Sequence, residues 1–270
     1  MLYVANHNGG IAGPDLACTL GTLWEARGPE APLYALAHDF VMRQFQQVGA
    51  VIQRFGALRA KPENALSALR AGAQVLVYPG GDLDAYRHTR RRDEVVLGTR
   101  TGFVRVAQAA GVPIVPIVAH GAHRSAYIFT EGEAIARRLA LKRWARLERF
   151  PIALALPWGV ALGPWLPYLP LPFPVRLRAL PPIEAPADVD PVSRASWRLL
   201  APFRDRAPRS SSMRSRGLST TLVLTSGASR RRRSSSRVKT TRCSAPSLRA
   251  SSPRRSLDRG SRSSPTPAMI

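Results

Sequence analysis

Cysteine is scarce in this sequence: Cys18 and Cys243 are the two in 270 residues. That excludes a disulfide framework and a cysteine-built metal cluster. His120 and His123 lie three apart with no convincing third ligand, so no metal site is expected. They are read instead as pocket-lining residues or as partners in a strand-end hydrogen bond. No Gly-x-Ser-x-Gly occurs, which argues against a hydrolase nucleophile elbow. No basic stretch followed by a long apolar run opens the chain, so no signal peptide is expected. The sequence begins almost inside a strand, and an upstream segment is expected to be missing. Charge is absent from residues 151–175, a length that would permit a membrane span. Seven prolines there exclude a helix. Trp158, Trp165 and Tyr168 in that stretch suit a membrane interface or an apolar channel wall. A strand with a proline-rich loop packed on the core fits equally.

What is abundant is positive charge, and it is uneven. The net charge is +23. Residues 1–200 hold 23 Lys and Arg against 15 Asp and Glu, and residues 201–270 hold 17 against 2. Serine rises from four in the first part to eighteen in the second. One short apolar run, Leu222-Val223-Leu224, interrupts the second part. Such a segment cannot bury enough apolar surface to offset its ordering entropy, so residues 201–270 are expected to form a disordered basic tail. Its abrupt onset between Arg204 and Arg216 fits a shifted reading frame. A nucleic-acid or anionic-lipid arm built on Arg230 to Arg233 and a neutral disordered extension are the alternatives. The tail lacks interleaved aromatics, so nucleic acid is not the expected partner.

In residues 1–200 strand-like and helix-like stretches alternate. Strands are expected at Leu2–Ala5, Pro32–Ala37, Gln74–Tyr78, Val112–Ala119, Phe150–Leu156 and Val175–Leu180. Helices are expected at Asp15–Ala26, Asp39–Val48, from Pro62 to Gly72, at Thr101–Ala110 and at Ala134–Leu141. This order implies a single α/β domain over residues 1–200, its mixed, largely parallel sheet flanked by helices. Sites in such folds lie at strand ends. His7, Gly80-Gly81 and His120 would then share one end of the sheet.

The richest motif is Asn6-His7-Asn8-Gly9-Gly10 with Asp15. A histidine at a strand end with a carboxylate at the next helix start can form a general base and its orienting partner. The same pattern also describes a hydrogen-bonded structural loop. Asp82, Asp84 and Arg87 are either polar pocket residues or a solvated loop with local ion pairs. Arg90-Arg91-Arg92 suits lipid headgroups, an acidic carrier protein or plain solvent exposure.

Four ordered blocks resemble the glycerolipid (phospholipid/glycerol) acyltransferase superfamily, in its diacylglycerol-acyltransferase-like branch. The first is Asn6 to Gly10 with Asp15. The second is Arg59-Ala60-Lys61-Pro62-Glu63-Asn64-Ala65. The third is Val77-Tyr78-Pro79-Gly80-Gly81-Asp82. The fourth is Val112-Pro113-Ile114-Val115-Pro116-Ile117. The resemblance implies His7 and Asp15 as catalytic residues. It implies Gly9, Gly10, Arg59, Tyr78, Pro79, Gly80 and Gly81 as substrate-binding residues. Backbone N–H groups near Gly80 and Gly81 would face the oxyanion or the acceptor. No cofactor is implied beyond acyl-CoA or an acyl-carrier protein as co-substrate. The expected partners are a lipid acceptor, an acyl thioester and a membrane surface, with the protein peripheral on the cytoplasmic face. The sequence departs from the family pattern in three places. Seven residues separate His7 from Asp15 where four are common, Gly80 stands where many members have Glu, and no phosphate-contacting arginine is clearly placed. A catalytically inactive fragment is a further possibility.

Overall fold

In a computed structural model of the chain the described residues are 1–10, 13–28, 30–44, 46–98, 100–164, 168–171, 173–185 and 222–224. Four parallel strands come first among the elements that place the site. These are β1 (Leu2–Ala5), β2 (Leu33–Ala37), β3 (Ala57–Arg59) and β4 (Gln74–Val77). Next comes β5 (Ile114–His120), also parallel to β1. The helices between them are α1 (Pro14–Arg27), α2 (Asp39–Gln44), α3 (Gln46–Arg54), α4 (Pro62–Arg70), α5 (Gly81–Ala85) and α6 (Gly102–Ala110). Then follow β6 (Tyr127–Thr130), α7 (Glu133–Arg138), α8 (Leu141–Trp144), β7 (Ile152–Ala155), β8 (Gly159–Leu162), β9 (Val175–Ala179) and β10 (Leu222–Leu224).

The large sheet has the order β10-β9-β5-β1-β4-β2-β3. β9 runs antiparallel to β5, and β10 antiparallel to β9. The expected mixed, largely parallel α/β sheet is therefore present. β1 lies at its centre and shows why. Its side chains alternate between the two faces. Leu2 and Val4 pack with Ala65 and Leu69 of α4 and with Phe103, Val104 and Ala107 of α6. Tyr3 and Ala5 pack on the other face with Leu23 of α1, with Leu16 and Leu20 beside it. All four β1 residues are buried, as a strand covered on both faces requires.

Several boundaries differ from the sequence reading. The helix expected at Asp39–Val48 is two helices, α2 and α3, and the second runs on to Arg54. The helix expected at Ala134–Leu141 is also two. Ala140 adopts φ 50°, a left-handed conformation that ends α7 and starts α8. Alanine favours helix, so nothing local announces this break. Leu222–Leu224, the one apolar run of the tail, pairs antiparallel with β9 as an edge strand. A Leu-Val-Leu run fits a pleated edge, and β9 offers one. The rest of 201–270 lies outside the described residues, as does Trp165.

The uncharged stretch 151–175 forms more than one strand and a loop. β7 and β8 pair antiparallel, and β6 joins them in a separate three-stranded sheet. Ala126, Ala155 and Ala161 are buried on its inner side with Tyr168 against them. Tyr127, Phe129, Leu154, Val160 and Leu162 are exposed, with Leu156 and Trp158 exposed in the β7–β8 turn. Among the described residues no helix is long and apolar enough to cross a membrane.

Candidate functional site

β1 ends at Ala5, and the chain turns over the end of the sheet through Asn6 to Gly10. Two buried asparagines fix this turn to β5. Asn6 Nδ2 donates to the Ala119 carbonyl at 3.0 Å, and the Ala119 N–H donates to Asn6 Oδ1 at 2.7 Å. Asn8 Nδ2 donates to the same carbonyl at 2.9 Å. Both asparagines flanking His7 are thus structural. Gly9 has φ 83°, and a Cβ there would lie 2.8 Å from the Ala122 carbonyl oxygen. Only glycine combines that conformation with that approach.

Pro14 opens α1 and Asp15 follows in its first turn, where the helix dipole favours a carboxylate. Asp15 is fully buried. His7 Nδ1 stands 2.9 Å from its Oδ2, and the His7 side chain is 20% exposed. The same oxygen accepts the Asn8 N–H at 2.8 Å. The geometry assigns the proton to Nδ1 and leaves Nε2 as the acceptor nitrogen. Burial pushes the imidazolium down, but the Asp15 charge and hydrogen bond outweigh it, so His7 titrates above the ordinary histidine value. Tyr78 packs on the imidazole, with ring centroids 4.9 Å apart.

A second buried pair holds the backbone of His7. Asp84, on α5, accepts the His7 N–H on Oδ2 at 2.5 Å and the Val96 N–H on Oδ1 at 2.9 Å. Arg87 Nη1 donates to the His7 carbonyl at 2.9 Å and to Asp84 Oδ1 at 2.8 Å. Its Nη2 donates to Asn8 Oδ1 and to the Arg92 carbonyl, and its Nε to the Arg91 carbonyl. Arg87 is 1% exposed and Asp84 0%. One guanidinium therefore ties the His7 turn to the loop after α5. Burial pushes the Asp84 carboxyl up, against the pull of Arg87 and two backbone N–H groups. Burial likewise pushes Arg87 down. The solvated-loop reading of Asp84 and Arg87 is thus corrected: both are interior. The sequence carries one signal for them, a three-residue spacing that lets carboxylate and guanidinium meet.

His123 completes this layer. Its Nε2 stands 2.8 Å from the Arg87 carbonyl, and its Nδ1 accepts the Gly9 N–H at 3.4 Å. Nε2 is therefore the donor. Burial pushes its pKa down to about 3, and Arg87 pushes the same way, so it is neutral and structural. His120 closes β5 with Nδ1 3.5 Å from Asp93 Oδ1. Among the described residues no group of three His, Cys, Asp or Glu could hold a metal ion.

The third block surrounds the same end of the sheet, and its glycines answer to packing. A Cβ on Gly80 would lie 2.4 Å from the Val96 carbonyl oxygen and 2.5 Å from Asp84 Cβ. That explains glycine where a larger residue is common. Gly81 has φ 51°, and its N–H donates to the Tyr78 carbonyl at 3.1 Å. That N–H is engaged in the turn and not free for an oxyanion. Pro79 is buried in the same turn. Gly10 has φ 64° and lies against Tyr168 and Tyr86. Arg59 is not brought to His7. It ends β3, three strands from β1, a span of roughly 14 Å at the usual strand spacing. Its Nε is bound to Asp39 Oδ1 at 3.0 Å.

An imidazole oriented by a buried carboxylate, with its second nitrogen available, can accept and return a proton. Residues 1–120 match the family model described as Acyltransferase. The matched segment runs through β5 and so contains all five parallel strands, His7, Asp15, Asp84 and Arg87. This match supports acyl transfer as the general chemistry. No solved structure matches the chain.

Proposed function

We propose that this protein transfers a fatty acyl group from a thioester, acyl-CoA or acyl-carrier protein, to the hydroxyl of a glycerolipid or related lipid alcohol. The acyltransferase domain spans residues 1–200. The carrying observation is the 2.9 Å contact between His7 Nδ1 and the buried Asp15. In this reading Nε2 takes the hydroxyl proton as the oxygen attacks the thioester carbonyl. The tetrahedral intermediate then expels the thiolate, which recovers the proton from the imidazolium. Asp15 orients the ring and stabilises its charged form. Asp84 and Arg87 keep the His7 backbone in place and do not touch the substrate.

The protein works as a peripheral enzyme on the cytoplasmic face of a membrane. The outer face of the β6–β8 sheet supports this, because it gathers exposed Tyr127, Phe129, Leu154, Val160 and Leu162 in one place. Labelled acyl-CoA offered with a panel of lipid alcohols tests the reading. Native protein transfers the label, and a folded His7→Ala variant does not. Equal transfer by both would remove His7 from the chemistry.

A further inference from the structure

Tyr78 follows β4, the strand beside β1, and lies on the face of the sheet that α1 covers. Its carbonyl accepts the Gly81 N–H at 3.1 Å, which fixes its backbone in the turn of the third block. Its ring stands 4.9 Å from the His7 ring, tilted by 43°. Two residues therefore bear on one imidazole, Tyr78 through its ring and Asp15 through Oδ2.

Each of these two also carries a buried polar atom with no hydrogen-bond partner among the described residues. They are the Tyr78 hydroxyl and Asp15 Oδ1. Buried polar atoms are rarely left so, and here one is a donor and the other an acceptor. Burial pushes the phenol well above its ordinary value, and the Asp15 charge pushes the same way, so the phenol keeps its proton. Thr19 adjoins the phenol, but its own hydroxyl donates to the Asp15 carbonyl at 2.7 Å. That leaves the phenol proton to face Oδ1.

A groove of about 570 Å³ opens beside the small sheet, with Arg124, Tyr127, Leu154 and Phe173 in its walls. A smaller cavity adjoins Gly10, Tyr86 and Tyr168. Tyr78 lines neither.

We propose that Tyr78 is a positioning residue of the His7–Asp15 pair, its ring steadying the imidazole and its hydroxyl donating to Asp15 Oδ1, and not a substrate-binding residue. This role rests on the acyl-transfer reading only where turnover is measured. A proton aimed at Oδ1 draws charge away from Oδ2 and weakens the hold of the carboxylate on the imidazolium. Removing the hydroxyl should therefore raise the His7 pKa. The other groups facing His7 stay as they are: Asp84, which raises it, Arg87, which lowers it, and the neutral His123. Besides Asp15, the Cys18 thiol faces the phenol.

The test is an NMR titration of the His7 imidazole in the full chain, native and Tyr78→Phe, beside kcat and KM with oleoyl-CoA and monooleoylglycerol. Tyr78→Phe keeps the ring and removes the hydroxyl. The His7 midpoint is expected to rise by about half a pH unit or more, and the rising limb of transfer to move with it. KM is expected to stay within about twofold. In an Asp15→Asn background the same substitution is expected to leave the midpoint in place, because the carboxylate it acts on is gone. Tyr78→Leu removes the ring as well, and is expected to lower kcat about tenfold or more with KM near native. An unmoved His7 midpoint in Tyr78→Phe would overturn the proposal, whatever becomes of Tyr78→Leu. So would a raised KM with unchanged kcat, the mark of a substrate-binding residue, and so would a shift that persists in Asp15→Asn. A midpoint that moves as expected, in a protein that transfers no acyl group, would sink the transferase reading and leave this role standing. Transfer that depends on His7, with a midpoint indifferent to Tyr78→Phe, would do the reverse.

Discussion

The two sheets of this protein use apolar residues in opposite ways. In the large sheet β1 is buried on both faces, and its neighbours β4 and β5 are buried along almost their whole length. In the small sheet Ile128 and alanines fill the inner side while Tyr127, Phe129, Leu154, Val160 and Leu162 face outward. Apolar surface in the first holds the fold together. In the second it faces outward among the described residues. The candidate base stands at the end of the first sheet, and the groove opens beside the second. The buried frame therefore carries the candidate base, while an exposed apolar surface lies next to it.

Substitutions at the end of the large sheet should have the largest effects. His7→Ala should lower acyl transfer by roughly a hundredfold to ten-thousandfold with an unchanged circular dichroism spectrum, as loss of a general base does. Arg87→Ala should lower folding stability by about 3–5 kcal/mol, because it leaves Asp84 buried without its partner. Its denaturant midpoint reads this directly. Leu76→Ala, in the middle of β4 and fully buried, should cost about 2–5 kcal/mol. The matching change in the small sheet, Leu162→Ala, should alter stability by no more than about 0.5 kcal/mol, since Leu162 is half exposed. Similar losses at Leu76 and Leu162 would break the contrast between the sheets. Val160→Ser with Leu162→Ser should reduce sedimentation with phospholipid vesicles and leave the melting temperature nearly unchanged. Unaltered vesicle binding would assign membrane contact to another surface.

Most of the large sheet was legible in the sequence because β1, β4 and β5 are short continuous apolar runs separated by helix starts and stops, whereas the three-residue strands β3 and β10 were not read as strands. Pro62 and Gly72, for example, bracket α4 as expected. His7 and Asp15 were legible because both are local to one strand–turn–helix unit. Asp84 and Arg87 were not, because a charged residue is interior only by virtue of what folds over it. Their partners come from two separate places in the chain, His7 with Asn8 on one side and Val96 on the other. Gly80 was legible as a glycine of the third block, but its reason lies in Val96, sixteen residues away. Arg59 was legible as part of its block, but its place at the edge of the sheet, paired with Asp39, is a tertiary fact. The outward face of the small sheet was half legible. The uncharged stretch flagged it, but the pairing with β6, which sets which residues point out, is a tertiary fact.

The pH dependence of acyl transfer, in the native protein and in Asp15→Asn, tests the central claim most directly. A base must be neutral to act, and Asp15 holds the His7 imidazolium above its ordinary value. Transfer should therefore rise with pH through a midpoint above about 6.5, the unperturbed histidine value. In Asp15→Asn the charge is gone, so the midpoint should move to lower pH while the maximal rate falls. A profile with no rising limb between pH 5 and 9, or one whose midpoint ignores the substitution, would contradict the assignment of His7 and Asp15 as a working pair.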